Sequence, residues 1–323
     1  MYIVTGGSGF IGSAVIWKLN SLGIDDILVV DNLGRSEKWK NLVNRSYLSY
    51  QQRDDFLDRV KAGTINEEIS AIIHLGACSS TTEKDADFLM RNNLEYSKTL
   101  CSFALERGAR FIVAGSAATY GNGASGFADD EDRLENLRPL SMYGYSKHLF
   151  DLWAKRNGLL KRIVCLKFFN VYGPNEYHKG EMRSVVHKAF TSIRETGGMA
   201  LFRSDDPAYP DGGQRRDFIQ VKDCAAMICW LLEHPEVCGI FNAGTGTART
   251  WNDLAKAVAA AMNVPARISY KDMPDDLTGA YQNFTEASTA RLRAAGYTAP
   301  LLTLEQGVRD YVAGYLMKAD PYL

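Results

Sequence analysis

Tyr143 and Lys147 stand four positions apart in the segment Ser141-Met-Tyr-Gly-Tyr-Ser-Lys147. On a helix this spacing puts both side chains on one face. A free phenol has a pKa of about 10 and is a poor base at neutral pH. A neighbouring ammonium favours the phenolate and lowers that pKa. The pair could then take a proton from a carbinol while hydride leaves to a nicotinamide, and Lys147 could hold the nicotinamide ribose. Tyr145 is a decoy, because its i+4 neighbour is Leu149. A Tyr-x-x-x-Lys arises easily by chance, so its weight depends on what accompanies it. Ser116 follows the apolar run Arg110–Ala114 and could donate to a substrate oxygen. The plainer reading of Ser116 is a turn-forming serine.

A second constellation opens the chain. Thr5-Gly-Gly-Ser-Gly-Phe-Ile-Gly12 sits between a β-branched run and an apolar-periodic stretch, with Gly6, Gly9 and Gly12 at G-x-x-G-x-x-G spacing. Glycines there permit a tight turn, approach of backbone N–H groups to a pyrophosphate, and close helix–strand packing. The following helix adds orphan N–H donors and a positive dipole end. The alternative is a glycine-rich turn with no ligand, and the motif alone is weak evidence. Asp31 ends the next apolar run, 19 positions after Gly12. By the simple rule it would hold the adenosine ribose 2′-OH and favour NAD. Asn32, Arg35, Lys38 and Arg53 complicate this, because cations there suit a 2′-phosphate and NADP. From spacing alone the two cofactors remain alternatives.

The elements that must carry these residues follow from hydrophobic rhythm. Strands are expected at Tyr2–Thr5, Ile27–Asp31, Ser70–Leu75, Arg110–Ala114 and Arg162–Lys167. Helices are expected over about 10–22 and 84–107, and from near Ser141. Buried Val/Ile runs separated by amphipathic helices predict a Rossmann-type doubly wound parallel sheet. Beyond about Asn170 the rhythm breaks. Residues 173–183 read as irregular and 204–216 as a long loop, with strand–helix–strand character in 217–243. The stretch 246–323 reads as short helices with one strand. The expected division is a dinucleotide-binding domain of 1–172 plus 217–245, with a smaller, interleaved substrate lobe of 173–216 plus 246–323.

Composition narrows the class. The 323 residues are 46% hydrophobic and 23% charged, ordinary values for a globular chain. Lys+Arg 37 against Asp+Glu 38 leaves a formal net charge of −1, which points to neither nucleic acid nor an anionic membrane as partner. No apolar run is long enough for a membrane span, and no basic stretch precedes the first strand as a secretory leader would require. The six cysteines are scattered in apolar segments, and Cys224 and Cys229 lack the usual zinc spacing. The five histidines form no metal-like pair. Reduced core thiols in a cytoplasmic protein, with no metal, are the expectation.

Taken together, the glycine loop, Ser116 and Tyr143/Lys147 resemble the extended short-chain dehydrogenase/reductase family over nearly the whole chain. Further segments narrow the resemblance to the ADP-glycero-manno-heptose 6-epimerases. They are Asp31-Asn-Leu33, Gly76-Ala-Cys-Ser-Ser-Thr-Thr-Glu83, Ser116-Ala-Ala-Thr-Tyr-Gly121, Phe169-Asn-Val-Tyr-Gly-Pro174, His178-Lys-Gly180, Arg216-Asp-Phe218 and Leu292-Arg-Ala-Ala-Gly-Tyr297. The segments at Gly76 and His178 are far more specific than the glycine loop. The resemblance implies an isomerase with one tightly bound NADP per subunit that oxidises C6″ of ADP-heptose to a 6″-ketone and returns hydride to the opposite face. It further implies a homo-oligomer serving lipopolysaccharide core biosynthesis.

By the same resemblance Tyr143 is one acid/base and Lys179 the other. Inversion through one ketone calls for a proton-transfer group on each side. Without the resemblance Lys179 would read as a solvated loop lysine. Cofactor contacts carried over are Gly6, Gly9, Phe10, Ile11, Gly12, Asp31, Asn32, Lys38, Arg53, Leu75, Gly76, Ala77, Cys78, Ser79, Asn92, Lys147, Val171 and Lys179. Substrate contacts carried over are Ser116, Asn170, Glu181, Lys188, Phe202, Arg203, Ser204, Asp205, Arg216 and Tyr281. Arg216 suits a diphosphate, which a guanidinium can bind bidentately.

The chain departs from the pattern in places. Arg53 replaces a Lys and keeps its charge, and Leu75 replaces a Glu. Glu181 stands where a small or basic residue is expected, Lys188 where His is, and Ala280 where Arg is. These last three bear on which sugar nucleotide is read. The alternatives are another nucleotide-sugar epimerase, at C4 for example, and a non-catalytic NADP-binding protein. A 4,6-dehydratase would carry an Asp-Glu pair where Ala117 and Ala118 stand.

Overall fold

The computed structural model describes residues 1–274 and 282–323. The chain begins with β1 (Tyr2–Thr5), α1 (Phe10–Ser21), β2 (Ile27–Asp31), a 3-10 turn at Glu37–Leu42, β3 (Ser49–Gln52), α2 (Arg53–Ala62) and β4 (Ala71–His74). It continues through α3 (Ala86–Leu89), α4 (Tyr96–Glu106), β5 (Arg110–Ser116), α5 (Met142–Arg156), β6 (Val164–Phe168), β7 (Asn170–Tyr172) and α6 (Val185–Thr196). Then come β8 (Met199–Phe202), β9 (Arg215–Gln220), α7 (Val221–Glu233), β10 (Gly239–Ala243), β11 (Ala248–Thr250), α8 (Trp251–Ala261), β12 (Ile268–Lys271), α9 (Ala290–Ala294) and α10 (Leu304–Tyr311).

Seven strands form one sheet in the order β10-β6-β5-β4-β1-β2-β3, and every neighbouring pair is parallel. Every residue of β2, β4, β6 and β10 is buried, as a sheet covered on both faces requires. One face packs on α2, α4 and α5, where Phe56, Leu100, Phe111 and Phe150 meet. The other packs on α1 and α7, through Val15, Ile16, Ile228 and Leu231. Fully burying one such side chain contributes about 1.5–3 kcal/mol, which is why continuous apolar runs become central strands. A third cluster, including Phe190, Leu254 and Val308, gathers α6, α8 and α10.

The doubly wound parallel sheet is as expected, with local differences. β3 has the sequence Ser-Tyr-Gln-Gln and gave no apolar signal, because it is an edge strand. The single helix expected over about 84–107 is split by a π-helical turn at Met90–Glu95. Such widened turns displace side chains from regular helical positions, and this one carries Asn92 and Asn93. β9 does not extend the main sheet. It pairs with β7 and antiparallel with β11. Among the described residues the stretch after 246 holds two strands, β11 and β12, rather than one; β12 pairs with β8. Both are short, at three and four residues, and none of their residues is buried.

Among the described residues all six cysteines are free, and none forms part of a metal-like cluster. No described helix is long and apolar enough to cross a membrane.

Candidate active site

β1 and β4 are neighbours at the point where the winding of the sheet reverses, and a crevice opens there at the strand C-termini. It is a cleft of about 650 Å³. Gly6, Gly9, Phe10, Ile11 and Gly12 line it, with Leu75, Gly76, Ala77 and Ser79 from the end of β4. Ser116, Tyr143, Lys147, Asn170, Val171 and Lys179 line it too. A recess of about 210 Å³ shares Gly6, Asp31, Lys38, Gly76 and Ala77 with the cleft and adds Asn32, Arg53, Cys78 and Asn92.

The glycine loop is shaped by backbone contact. Gly6 has φ +67°, and a Cβ on it would fall 2.6 Å from Gly76 N. Gly9 precedes α1 as its N-cap, and no side chain caps that helix. Its first N–H groups therefore face the cleft mouth, the arrangement a pyrophosphate needs. The residues present thus fit a dinucleotide.

Asp31 does something other than the simple rule expects. Its Oδ2 accepts from Ser8 N at 3.0 Å and Ser8 Oγ at 2.6 Å. Its Oδ1 accepts from Asn32 N at 2.7 Å and Lys38 Nζ at 2.5 Å. Four protein donors occupy this carboxylate, so it organises the glycine loop and Lys38. Arg53 enters the same recess, held by Asn92 Oδ1 and by Asp54 at 2.9 Å. Lys38 and Arg53 give the recess two cationic side chains, which suits a phosphate rather than a bare hydroxyl.

Tyr143 and Lys147 share one face of α5, whose N-cap Ser141 accepts from Gly144 N at 3.1 Å. Gly144 lies against the Ser116 turn; a Cβ there would come 2.7 Å from Ala118 O. Ser116 and Tyr143 both line the cleft, and the Ser116 hydroxyl acts on the Tyr143 phenol. Burial pushes the phenol above its ordinary pKa and the Ser116 hydroxyl pulls it partly back. This is opposite to the direction expected from a lysine neighbour, because desolvation of the phenolate outweighs the other influences. Lys147 is 5% exposed and donates to Ala114 O at 2.9 Å. Burial lowers its pKa to about 8, against an upward pull from Asp151. Tyr145 faces solvent.

Lys179 reaches the cleft from a 3-10 turn, Tyr177–Met182, that kinks at Gly180 with φ +53°. Its Nζ lies 5.2 Å from the Phe10 ring centroid at the start of α1. Burial lowers its pKa and Glu176 opposes this. The turn is bolted to the glycine loop by residues that sequence reasoning missed. Asn41 Nδ2 donates to Ser8 O at 2.9 Å and Asn175 O at 3.0 Å, and contacts His178 Nδ1 at 3.3 Å. Burial drops His178 to about 4, so its ring is neutral and can accept. Asn175 is fully buried at φ 76° and donates to Ser13 Oγ at 2.9 Å. Its positive φ and polarity are unusual enough to mark it, but only once the backbone is known.

Other missed residues shape the walls. Asn93 accepts from Cys78 N at 2.9 Å and donates to Cys78 O at 3.0 Å and Ser146 Oγ at 3.1 Å, tying the Gly76–Ser79 segment to α5. Arg183, Val185, Phe218 and Trp251 line the far end of the cleft. Arg216 is 6% exposed, and its guanidinium lies 5.7 Å from the Trp251 ring centroid.

The remaining substrate candidates are placed differently. Glu181 and Lys188 form a solvent-exposed ion pair with each other at 3.4 Å. Phe202 ends β8. Beyond it Arg203 pairs with Asp211 at 3.3 Å and Asp272 at 3.2 Å, Ser204 N donates to Asp211 at 3.0 Å, and Asp205 accepts from Asn283 at 3.4 Å. Tyr281 and Ala280 lie outside the described residues.

A model of the NAD dependent epimerase/dehydratase family matches residues 2–244. A curated ADP-L-glycero-D-manno-heptose-6-epimerase from Nitratidesulfovibrio vulgaris (strain Hildenborough) is 61% identical over 323 residues, 100% of each chain. A protein of the same name from Fusobacterium nucleatum is 46% identical over 332 positions, again 100% of each. Among solved structures, the Helicobacter pylori ADP-L-glycero-D-manno-heptose-6-epimerase superposes with TM-score 0.79 at 24% identity, covering 97% of this chain and 95% of that one. The Thermus thermophilus UDP-glucose 4-epimerase, solved with NAD, gives TM-score 0.73 at 24% identity, covering 95% and 96%. At such identities the structural likeness speaks for the fold.

Proposed function

The chain belongs to the NAD dependent epimerase/dehydratase family, and from that premise we propose that it inverts C6″ of ADP-glycero-manno-heptose. The observation that carries this reading is that Tyr143 and Lys179, from separate elements, line one cleft with the glycine loop and Lys147. A bound nicotinamide dinucleotide supplies hydride removal from C6″ and hydride return to the opposite face, by way of a 6″-keto sugar.

The chain's own residues handle protons and position. Burial lowers Lys179 and raises Tyr143. Burial thus favours the neutral amine, which can accept a proton, and keeps the phenol in its protonated form, which can give one. Lys179 takes the hydroxyl proton of one epimer, and Tyr143 gives a proton to the ketone oxygen presented in the other orientation. In the reverse direction the roles exchange. Ser116 holds the reacting oxygen beside Tyr143, and Lys147 holds the ribose. Arg216 is the diphosphate partner, with Asn170 at the cleft edge.

NADP is the dinucleotide this reading favours, supported by the engaged Asp31 carboxylate and the cationic pair Lys38 and Arg53. The free cysteines support a cytoplasmic setting. The separate core of α6, α8 and α10 supports reading 173–216 with 246–323 as a substrate lobe. A homo-oligomer is the assembly we infer, supported by exposed Trp39, Val43 and Leu48 around a hollow beside edge strand β3.

The test is to incubate the purified protein with ADP-D-glycero-β-D-manno-heptose, adding no cofactor, and to follow both C6″ epimers by chromatography. Interconversion that is lost in the Tyr143→Phe, Lys179→Met double variant supports the reading. Absence of interconversion, with dinucleotide released on denaturation, overturns the heptose assignment and directs attention to other nucleotide sugars.

A further inference from the structure

Behind the cleft lies a charged cluster that the proton-transfer reading does not use. Asp151 stands four residues after Lys147 on α5, as Lys147 stands four after Tyr143, so the three form one stripe. Lys167 projects from β6, and its Nζ lies 3.1 Å from Asp151 Oδ2. The side chains are 0% and 1% exposed. The contact is an ion pair rather than an aligned hydrogen bond. Lys167 also donates to Thr119 Oγ1 at 2.9 Å, and that hydroxyl donates to Ser116 O at 2.9 Å. Its ammonium sits 4.6 Å from the Tyr120 ring centroid. One buried ion pair thus connects the helix carrying Lys147 with the turn carrying Ser116.

Replacing a fully buried ion pair by apolar residues is often neutral or stabilising, so such a pair is weak evidence for a role in stability alone. Its placement matters more here. We infer that Asp151 and Lys167 are positioning residues that together set the charge and place of Lys147. The inference rests on Lys147 belonging to the site as read above.

Lys167 lies within ion-pair distance of Asp151, and Lys147 stands one helical turn before that carboxylate on the same stripe. Asp151 favours the ammonium of Lys147 against the burial that opposes it. Lys167, 3.1 Å from the same carboxylate, offsets part of its negative charge. Other groups face the cluster. They are His148 on α5, Cys165 on β6, Tyr120 beside the Ser116 turn, and Asp129, with His74 and Cys78 nearer Lys147. Burial holds His74 neutral, dropping it to about 3, and pushes Cys165 and Tyr120 up. Asp129 is the other carboxylate among them, and Asp151 is the one that shares the helix stripe of Lys147 and acts on it.

The test uses the protein as purified, with isotope-labelled lysine, and follows the Lys147 side-chain resonance against pH by NMR. Lys147→Met assigns the signal. Asp151→Asn moves the titration down by about one unit, and Lys167→Met moves it up by a similar amount. The alkaline limb of the epimerisation profile shifts in the same two directions, and Lys167→Arg restores the original position. Should one single variant not fold, the other decides, since each carries its own direction; in the neutral Asp151→Asn/Lys167→Met pair the two shifts cancel, and a Lys147 titration displaced there by about a unit or more overturns the inference. A Lys147 titration that stays put in a folded single variant, or moves the same way in both, overturns the inference. A wild-type protein that titrates but does not turn over ADP-heptose would indict the substrate reading instead.

Discussion

The two proton-transfer candidates are mounted in different ways. Tyr143 is the second residue of the fifteen-residue helix α5. That helix is capped by Ser141, in backbone contact with the Ser116 turn through Gly144, and packed on the sheet through Phe150. Lys179 sits in a six-residue 3-10 turn whose residues are half-buried or exposed and none of which belongs to the core. Segments distant in sequence hold that turn. Asn41 ties its start to the glycine loop, Asn175 binds Ser13 and accepts from Leu323 N at 3.0 Å, and Tyr177 donates to Pro321 O at 2.5 Å. Regular secondary structure fixes one group and a polar network fixes the other. A network of this kind holds only while every member is satisfied.

The largest effects come from removing the groups themselves. Tyr143→Phe and Lys179→Met should each slow steady-state epimerisation by about 10²–10⁴-fold, the usual range for one acid/base group. A loss of only a few-fold in the Lys179 variant would mean that the network presents nothing chemical. Next comes the network. Asn175→Ala removes two buried hydrogen bonds and leaves a non-glycine residue at φ 76°. It should lower kcat about tenfold and stability by about 1–3 kcal/mol, with the bound dinucleotide retained. Asn175→Gly relieves the backbone but not the bonds, so its stability should lie between the two. Equal kcat losses in both would assign the effect to the side chain, and normal kcat in both would break the contrast drawn above.

This contrast also explains what could be read from the sequence. The glycine loop, Tyr143, Lys147 and Ser116 announce themselves because each lies within a short segment whose spacing matches its element. Apolar runs revealed the central strands for the same local reason. Lys179 was visible only through resemblance, since Asn41 and Asn175, which place it, are 134 positions apart. The engaged state of Asp31 was hidden likewise, because its partners Ser8 and Lys38 come from two different loops. The direction of the Tyr143 shift was misjudged from the lysine four residues on. Burial decides it, and burial is a property of the packed cleft. β3 and one of the two strands β11 and β12 escaped because short edge strands need no apolar run.

Smaller effects sharpen the comparison by separating cofactor from proton chemistry. Lys38 and Asn41 share one 3-10 turn but serve different partners. Lys38→Ala should reduce the preference for NADP over NAD about tenfold, the equivalent of one charge-assisted hydrogen bond. Reconstitution with each dinucleotide measures it, and the two proton-transfer groups should keep their pH dependence. A change in that pH dependence would show that the turn acts as one unit.

The smallest effect belongs to Tyr145, two residues from Tyr143 on the same helix. Its phenol is 46% exposed, on a face without a lysine one turn on. Tyr145→Phe should leave epimerisation within about twofold and stability within about 0.5 kcal/mol, as surface changes do. A helix that fixes side chains by rotation alone makes the two tyrosines opposites despite their proximity. If Tyr145→Phe slowed the reaction as much as Asn175→Ala, α5 would not be the rigid mount that sets Tyr143 apart from Lys179.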